Sequence, residues 1–99
     1  MNLTEKQRRH LKGLAHSLNP VILVGNAGVS DAVVAETVRA LNDHELIKVR
    51  LPGLPREERD VALAGLAQRS GSELVTRIGH VAVLYRAHPT QPKILLPGT

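Results

Sequence analysis

The first hydrophobic pattern in the chain has the spacing of an amphipathic helix. Apolar residues recur three and four positions apart, at Leu11, Leu14, Ala15 and Leu18. Thr4 and Gln7 have the spacing of a capping box that begins the helix. The helix ends before Asn19-Pro20, because a residue that precedes proline disfavours the α region. This segment therefore predicts a helix that buries a leucine stripe.

A continuous apolar run, residues 21–24, comes next and favours a strand that is buried on both faces. The segment Gly25-Asn26-Ala27-Gly28 then forms a loop, and Ser30 is a good N-cap for a second helix. The apolar face of that helix, which runs to about Asn42 or Asp43, consists of Val33, Val34, Val38 and Leu41.

The second half of the chain continues with a strand, a helix and a hairpin. Residues 46–51 alternate between apolar and basic side chains, which predicts a half-exposed strand with Lys48 and Arg50 on one face. Residues 56–70 form a third helix, and Gly71 suits its C-terminal end. Strands at 74–78 and 81–86 flank a tight turn at Gly79-His80. The apolar set predicted for the third helix is Val61, Leu63, Ala64, Leu66 and Ala67.

The order of elements is α-β-α-β-α-β-β, which predicts an α/β fold with one four-stranded mixed sheet and helices packed against it. The strand-helix-strand unit over residues 21–51 should make a right-handed parallel crossover. The 99 residues suit a single compact domain. We expect its core to span residues 3–86 and the proline-marked tail, 87–99, to be extended.

Composition narrows the possible functions. The chain has 13 Lys and Arg against 9 Asp and Glu, a formal net charge of +4, which favours an acidic partner, nucleic acid first. It has no cysteine, which excludes disulfides, thiolate metal sites and a cysteine nucleophile. Tyr85 is its one aromatic residue, so it cannot build an aromatic stacking platform for RNA. RNA binding would therefore depend mainly on phosphates, backbone amides and shape.

The loop Gly25-Asn26-Ala27-Gly28 is the leading candidate for a phosphate contact. Glycine adds no side chain, so the backbone can approach a phosphate closely. The helix that begins at Ser30 adds free N–H groups and the positive end of its dipole. The alternative is a plain turn between a strand and a helix.

Several basic residues extend this candidate surface. Arg8, Arg9, Lys12 and His16 follow the first helix, roughly opposite its leucine stripe. They form either a phosphate-binding face or a solvated surface. Lys48 and Arg50 either protect a sheet edge or extend the positive surface. Tyr85 suits a half-buried core or rim position, and Arg86 suits either a phosphate contact or a surface cap.

The sequence does not support catalysis or a cofactor. His44-Glu45 begins like a helical zinc motif, but Lys48 stands where the second histidine would be, so we expect no metal. Ser30, Asp31 and His44 could form a nucleophile set, but no orienting motif such as G-x-S-x-G is present. Ser30 already has a sufficient role as a helix cap. Val29-Ser30 after Gly28 does not match a Walker motif. The chain also shows no signal peptide and no membrane span, so we expect a cytoplasmic protein.

Several segments together resemble a known family. The order and spacing are similar to the CRM (chloroplast RNA splicing and ribosome maturation) domain, and most closely to the stand-alone bacterial YhbY-like proteins. The matching segments are Leu11-Lys12-Gly13-Leu14-Ala15-His16, Asn19-Pro20-Val21, Gly25-x-x-Gly28, His44-Glu45-Leu46-Ile47-Lys48-Val49 and Leu84-Tyr85-Arg86.

The resemblance implies a fold similar to the C-terminal domain of translation initiation factor three. It also implies a protein that binds ribosomal RNA in precursors of the large ribosomal subunit and assists their assembly. We expect the protein to be non-enzymatic and monomeric. Gly25, Asn26, Ala27 and Gly28 would clamp the RNA backbone as the loop of a KH domain does. Family loops often carry a basic residue between the glycines, where this chain has Asn26-Ala27. The alternative function is a protein-interaction adaptor on ribosomes.

Overall fold

The computed structural model describes residues 3–25 and 27–98, and these form three helices and one four-stranded sheet. The sheet order is β1-β2-β4-β3, with β1 parallel to β2 and the other neighbours antiparallel. The predicted element order and mixed sheet are confirmed. The elements are α1 (Glu5–Ala15), β1 (Pro20–Leu23), α2 (Asp31–His44), β2 (Leu46–Arg50), α3 (Arg56–Ser70), β3 (Glu73–Ile78) and β4 (Val81–Tyr85).

Different helices cover the two faces of the sheet. One core cluster joins α2 and α3 to Ile47 and Val49 of β2 and to Leu84 of β4. The other joins α1 to the alternate positions Leu46 and Tyr85. Successive side chains of a strand point to opposite faces. Therefore α1 lies on one face of the sheet, and α2 and α3 lie on the other.

The local signals at the ends of the elements are confirmed. Thr4 and Gln7 form the capping box, with hydrogen bonds of 3.0 and 3.1 Å between side chain and backbone. The Ser30 hydroxyl accepts from the Val33 N–H at 3.2 Å and begins α2. Gly79, at φ +60°, makes the turn between β3 and β4, a conformation that glycine adopts without strain.

The first strand differs from its prediction. β1 lies at the edge of the sheet, and its burial alternates: Ile22 is buried, while Val21 and Leu23 are 52% and 67% exposed. The expectation of a strand buried on both faces is therefore wrong. The physical reason is that α2 packs against one face of β1, whereas α1 on the other face packs against β2, β3 and β4.

The buried side of α1 is narrower than the leucine spacing predicts. Leu11 and Ala15 are buried, but Leu14 and Leu18 are 42% and 37% exposed, and Leu18 lies beyond the end of the helix. Arg8 precedes Leu11 by three positions and Ala15 by seven, which places it beside the buried side. The prediction that Arg8 lies opposite that side is wrong.

The apolar face of α3 is also only partly as predicted. Leu63 and Leu66 are fully buried, but Val61 is 74% exposed and Ala64 is exposed. Only the side of α3 that carries Leu63 and Leu66 packs toward the sheet, so Val61 and Ala64 face solvent. Gly71 ends α3 in the left-handed conformation at φ +68°, as its position predicts.

The tail, residues 87–98, folds back along α1 and is held by a buried carboxylate. Glu45 is 1% exposed and accepts hydrogen bonds from the N–H groups of His88 and Lys93, both at 2.7 Å, and of Ile94 at 3.0 Å. Burial acts to raise the pKa of Glu45, but these hydrogen bonds outweigh it and hold that pKa below its usual value of 4.5. Ile94 and Leu96 pack against the α1 cluster.

Candidate nucleic-acid interface

The glycine loop is a tight turn at the end of β1. The Gly28 N–H donates to the Gly25 carbonyl at 3.0 Å and closes the turn, and the Ser30 N–H donates to the Gly28 carbonyl at 3.0 Å. Gly28 has φ +79°, which favours glycine. A Cβ at Gly25 or Gly28 would meet no atom within 4 Å, so the space beside both glycines is open. Asn26 lies outside the described residues.

The first turn of α2 presents backbone donors beside this loop. The Ser30 hydroxyl accepts a hydrogen bond from the Val33 N–H. Within the described part of the chain, the N–H groups of Asp31 and Ala32 have no hydrogen-bond partner. Free N–H groups and the helix dipole make such a helix start attractive to an anion. The start of α2 thus offers free donors next to the loop, whose Gly28 and Ser30 N–H groups are bonded within the turn.

Arg69 of α3 neutralises a carboxylate beside these donors. Its guanidinium forms an ion pair with Asp31, whose side chain is 97% exposed, and also donates to the Val29 carbonyl at 3.2 Å. An exposed pair of this kind adds little stability. Its effect is electrostatic, since the Asp31 charge is compensated where a phosphate would approach. No sequence pattern indicated Arg69, because the pairing joins two helices that are distant in the chain.

The predicted basic face of α1 divides into two kinds of residue. Arg9, Lys12 and His16 are exposed. Arg8 instead donates to the carbonyls of Leu74 and Val75 in β3, at 2.5 and 2.8 Å. Arg8 therefore fastens α1 to the sheet, while the other three side chains are accessible to a ligand. They lie on the face of the sheet opposite α2.

Lys48 and Arg86 also form bonds within the domain. The Lys48 ammonium donates to the Leu18 carbonyl at 2.9 Å and fixes the turn that follows α1. The Arg86 guanidinium donates to the Ser70 carbonyl at 2.8 Å and to the Asn42 side chain, so it ties α2 to α3. Both side chains thus have structural partners.

Arg50 is exposed beside the loop, whereas Tyr85 is buried. Arg50, at the end of β2, is exposed, and its carbonyl accepts from the Val24 N–H at 2.8 Å, which places it directly beside the loop. Tyr85 is 1% exposed, so it is a core residue and is more deeply buried than the half-buried core or rim position that was expected. Burial, with a contribution from the Glu45 carboxylate, raises the pKa of Tyr85.

Other kinds of site find no support in the described ranges, 3–25 and 27–98. These residues gather no group of three His, Cys, Asp or Glu side chains that could hold a metal ion. Their helices are all too short or too polar to cross a membrane.

The sequence model of the CRS1/YhbY (CRM) domain matches residues 3–86, and this range contains the loop, α1 and the whole sheet. The chain belongs to the CRM domain family. Two relatives support this: an RNA-binding protein of Haemophilus influenzae and a probable RNA-binding protein of Pseudomonas aeruginosa. Each is 44% identical over 95 residues, which are 96% of this chain and 95% and 91% of the relatives.

A solved structure shows the same fold. The solution structure of a hypothetical protein from Staphylococcus aureus matches with a TM-score of 0.84 and 32% sequence identity. The match covers 97% of this chain and 100% of that protein. This chain thus shares its α/β fold, with three helices and a mixed sheet, with that protein.

Proposed function

We propose that this CRM-domain protein is a non-enzymatic, cytoplasmic RNA-binding protein that assists assembly of the large ribosomal subunit. The observation that carries the proposal is the open glycine loop, closed by the bond between Gly28 and Gly25 and followed by free N–H groups of α2. RNA binding is also the property named for the relatives from Haemophilus influenzae and Pseudomonas aeruginosa.

In this proposal, a phosphate of the RNA lies against the loop backbone and accepts hydrogen bonds from the free N–H groups in the first turn of α2. Gly25, Ala27 and Gly28 provide close backbone approach, and Asn26 completes the loop. Arg9, Lys12 and His16 add longer-range attraction from exposed positions on α1. Arg8, Lys48 and Arg86 act as positioning residues, since their charged groups already bond within the domain. Phosphate contacts of this kind position an RNA without specifying its sequence.

Replacing both Arg9 and Lys12 by glutamine is expected to reduce the salt dependence of RNA affinity. Each lost phosphate contact lowers the slope of log affinity against log salt by roughly 0.7 to 0.9, so we expect a change of about 1.5. Fluorescence anisotropy with a labelled single-stranded RNA at several salt concentrations measures it. The control is Arg39→Gln with Lys93→Gln, two exposed cations on α2 and the tail. Equal slopes for the two double variants would remove α1 from the interface.

The ribosomal part of the proposal is tested in cell lysate. Tagged protein is sedimented through a sucrose gradient beside its Gly28→Asp variant, and both are detected by immunoblot. We expect the unmodified protein at the precursors of the large subunit and the variant at the top of the gradient. Unmodified protein at the top alone would contradict a role in ribosome assembly.

The same gradient distinguishes the adaptor alternative. A protein that associates with ribosomes through another protein does not need the glycine loop. Co-sedimentation of both forms with large-subunit precursors would therefore favour the adaptor function.

A further inference from the structure

A row of exposed side chains crosses all four strands next to the glycine loop. Strand register pairs Leu23 of β1 with Arg50 of β2, Arg50 with Val81 of β4, and Val81 with Ile78 of β3. Leu23 is 67% exposed, Ile78 is 73% exposed, Arg50 is exposed and Val81 is partly exposed. We call these four residues the exposed row.

All four side chains of the exposed row lie on the α1 face of the sheet. The flanking residues Ile22, Val24, Val49, Leu51 and Ala82 belong to the core under α2 and α3. Since side chains alternate along a strand, the row must point to the opposite face. Arg77, beside Ile78, pairs with Asp60 of α3 at 3.2 Å, which agrees with this alternation.

Helix α1 does not cover this part of the sheet face on which it lies. It packs over the other end of the sheet, where Leu46, Val75, Val83 and Tyr85 form its cluster. The Lys48 ammonium, bonded to the Leu18 carbonyl, lies between that cluster and the exposed row. Two large aliphatic side chains are thus presented to solvent on a rigid four-stranded surface, with an arginine between them.

The exposed row is continuous with the proposed phosphate site. Leu23 and Val24 lead directly into Gly25, and the Val24 N–H is bonded to the Arg50 carbonyl at 2.8 Å. An RNA strand whose phosphate sits on the loop therefore has the row within reach of its neighbouring bases. The row also carries one cation and no carboxylate, which complements a polyanion.

We propose that the exposed row is a base-binding platform for unpaired bases of single-stranded RNA, an inference that rests on the proposed RNA-binding function. The aliphatic side chains of Leu23, Val81 and Ile78 pack against base faces, and the planar guanidinium of Arg50 stacks on a base. Three strand spacings span about 14 Å, enough for two or three bases. A duplex keeps its base faces stacked and cannot use the row.

The platform replaces aromatic side chains, which the chain lacks at its surface. Tyr85, the one aromatic residue, is buried under α1. The proposal adds apolar contacts with bases to the phosphates, backbone amides and shape on which binding was expected mainly to depend. Because only unpaired bases expose their faces, apolar contact with bases favours binding to single strands.

The test compares a normal RNA strand with one that has no bases. The variant is Leu23→Thr with Ile78→Thr, and the matched control is Val61→Thr with Leu95→Thr, which are 74% and 83% exposed away from the row. We expect the row variant to bind a labelled twelve-nucleotide single strand about tenfold more weakly. Its affinity for an abasic strand of equal length and its salt slope should not change. The control should match the unmodified protein with both strands.

Several outcomes would overturn the platform. Unchanged affinity for the normal strand would do so, as would an equal loss with the abasic strand. A row variant that loses self-association of the unmodified protein, measured by analytical ultracentrifugation, without losing RNA affinity would assign the row to a second copy of the chain. If the double variant does not fold, Ile78→Thr alone and Arg50→Lys, which keeps the charge and loses the planar group, test the same point.

The test also separates this inference from the function on which it rests. Gly28→Asp is measured with the same two strands and should weaken both. If Gly28→Asp weakens binding and the row variant does not, the platform is wrong while RNA binding through the loop stands. If the unmodified protein binds neither strand, both proposals fall.

Discussion

Replacing Gly28 by aspartate is expected to weaken RNA binding about thirtyfold, which corresponds to about 2 kcal/mol. The substitution puts a carboxylate where the loop would hold a phosphate, beside donors that the Ser30 cap and Arg69 leave accessible. Space is not the obstacle, because a Cβ at this position meets nothing within 4 Å. Anisotropy titration with a labelled single-stranded RNA measures the loss.

The matched control is Gly28→Asn, which has the same shape and no charge. Gly28 has φ +79°, so either substitution costs about 1 kcal/mol of stability, and thermal unfolding should shift equally for the two. The difference in RNA affinity then isolates the charge. Equal affinity for the two folded variants would show that no phosphate approaches the loop.

Replacing Glu45 by glutamine is expected to cause a large loss of stability, about 2 kcal/mol at neutral pH. The carboxylate accepts three backbone N–H groups of the tail, and hydrogen bonds to a charged group are the stronger kind. Glutamine has one acceptor oxygen and turns an NH2 group toward those donors. Urea unfolding at pH 7 measures the change, with Glu36→Gln, an exposed carboxylate on α2, as the control.

The same variant should change how stability depends on pH. The folded-state pKa of Glu45 lies below its ordinary value of 4.5. The stabilisation is therefore fully present above pH 4.5, and it is lost as pH falls through the folded-state pKa. The difference between the unmodified protein and Glu45→Gln should shrink in that acid range. A difference that stays constant down to pH 2 would show that the charge of Glu45 does not hold the tail.

Local features of the fold were predictable because each depends on residues that are close in the chain. The capping box at Thr4, the cap at Ser30 and the turn at Gly79 were all placed correctly. Hydrophobic spacing indicated the seven elements, although several bounds differ by one or two residues. β1 lies at 20–23 rather than 21–24, β2 and β4 each end one residue earlier than predicted, β3 begins one residue earlier, and α2 continues to His44. The glycine loop between a strand and a capped helix was also identified from its own residues.

The roles of individual cations could not be predicted in the same way. Arg8, Lys48 and Arg86 have the same sequence character as Arg9 and Lys12, yet their charged groups bond to carbonyls that lie 16 to 67 residues away in sequence. Whether an arginine faces solvent or a carbonyl depends on which elements pack beside it. Helical spacing places Arg8, but not Arg9, beside Leu11 and Ala15, yet it does not show that the Leu74 and Val75 carbonyls lie there.

The sequence by itself determined the element order, the caps, the turns and the loop, since each is decided by backbone preferences and spacing within a few residues. The tertiary structure decided that β1 is an edge strand and that α1 covers only part of its face of the sheet. It thereby left Leu23 and Ile78 exposed in one row with Arg50. That juxtaposition joins residues from four strands, and strand order and register, which only the packed chain fixes, bring them together.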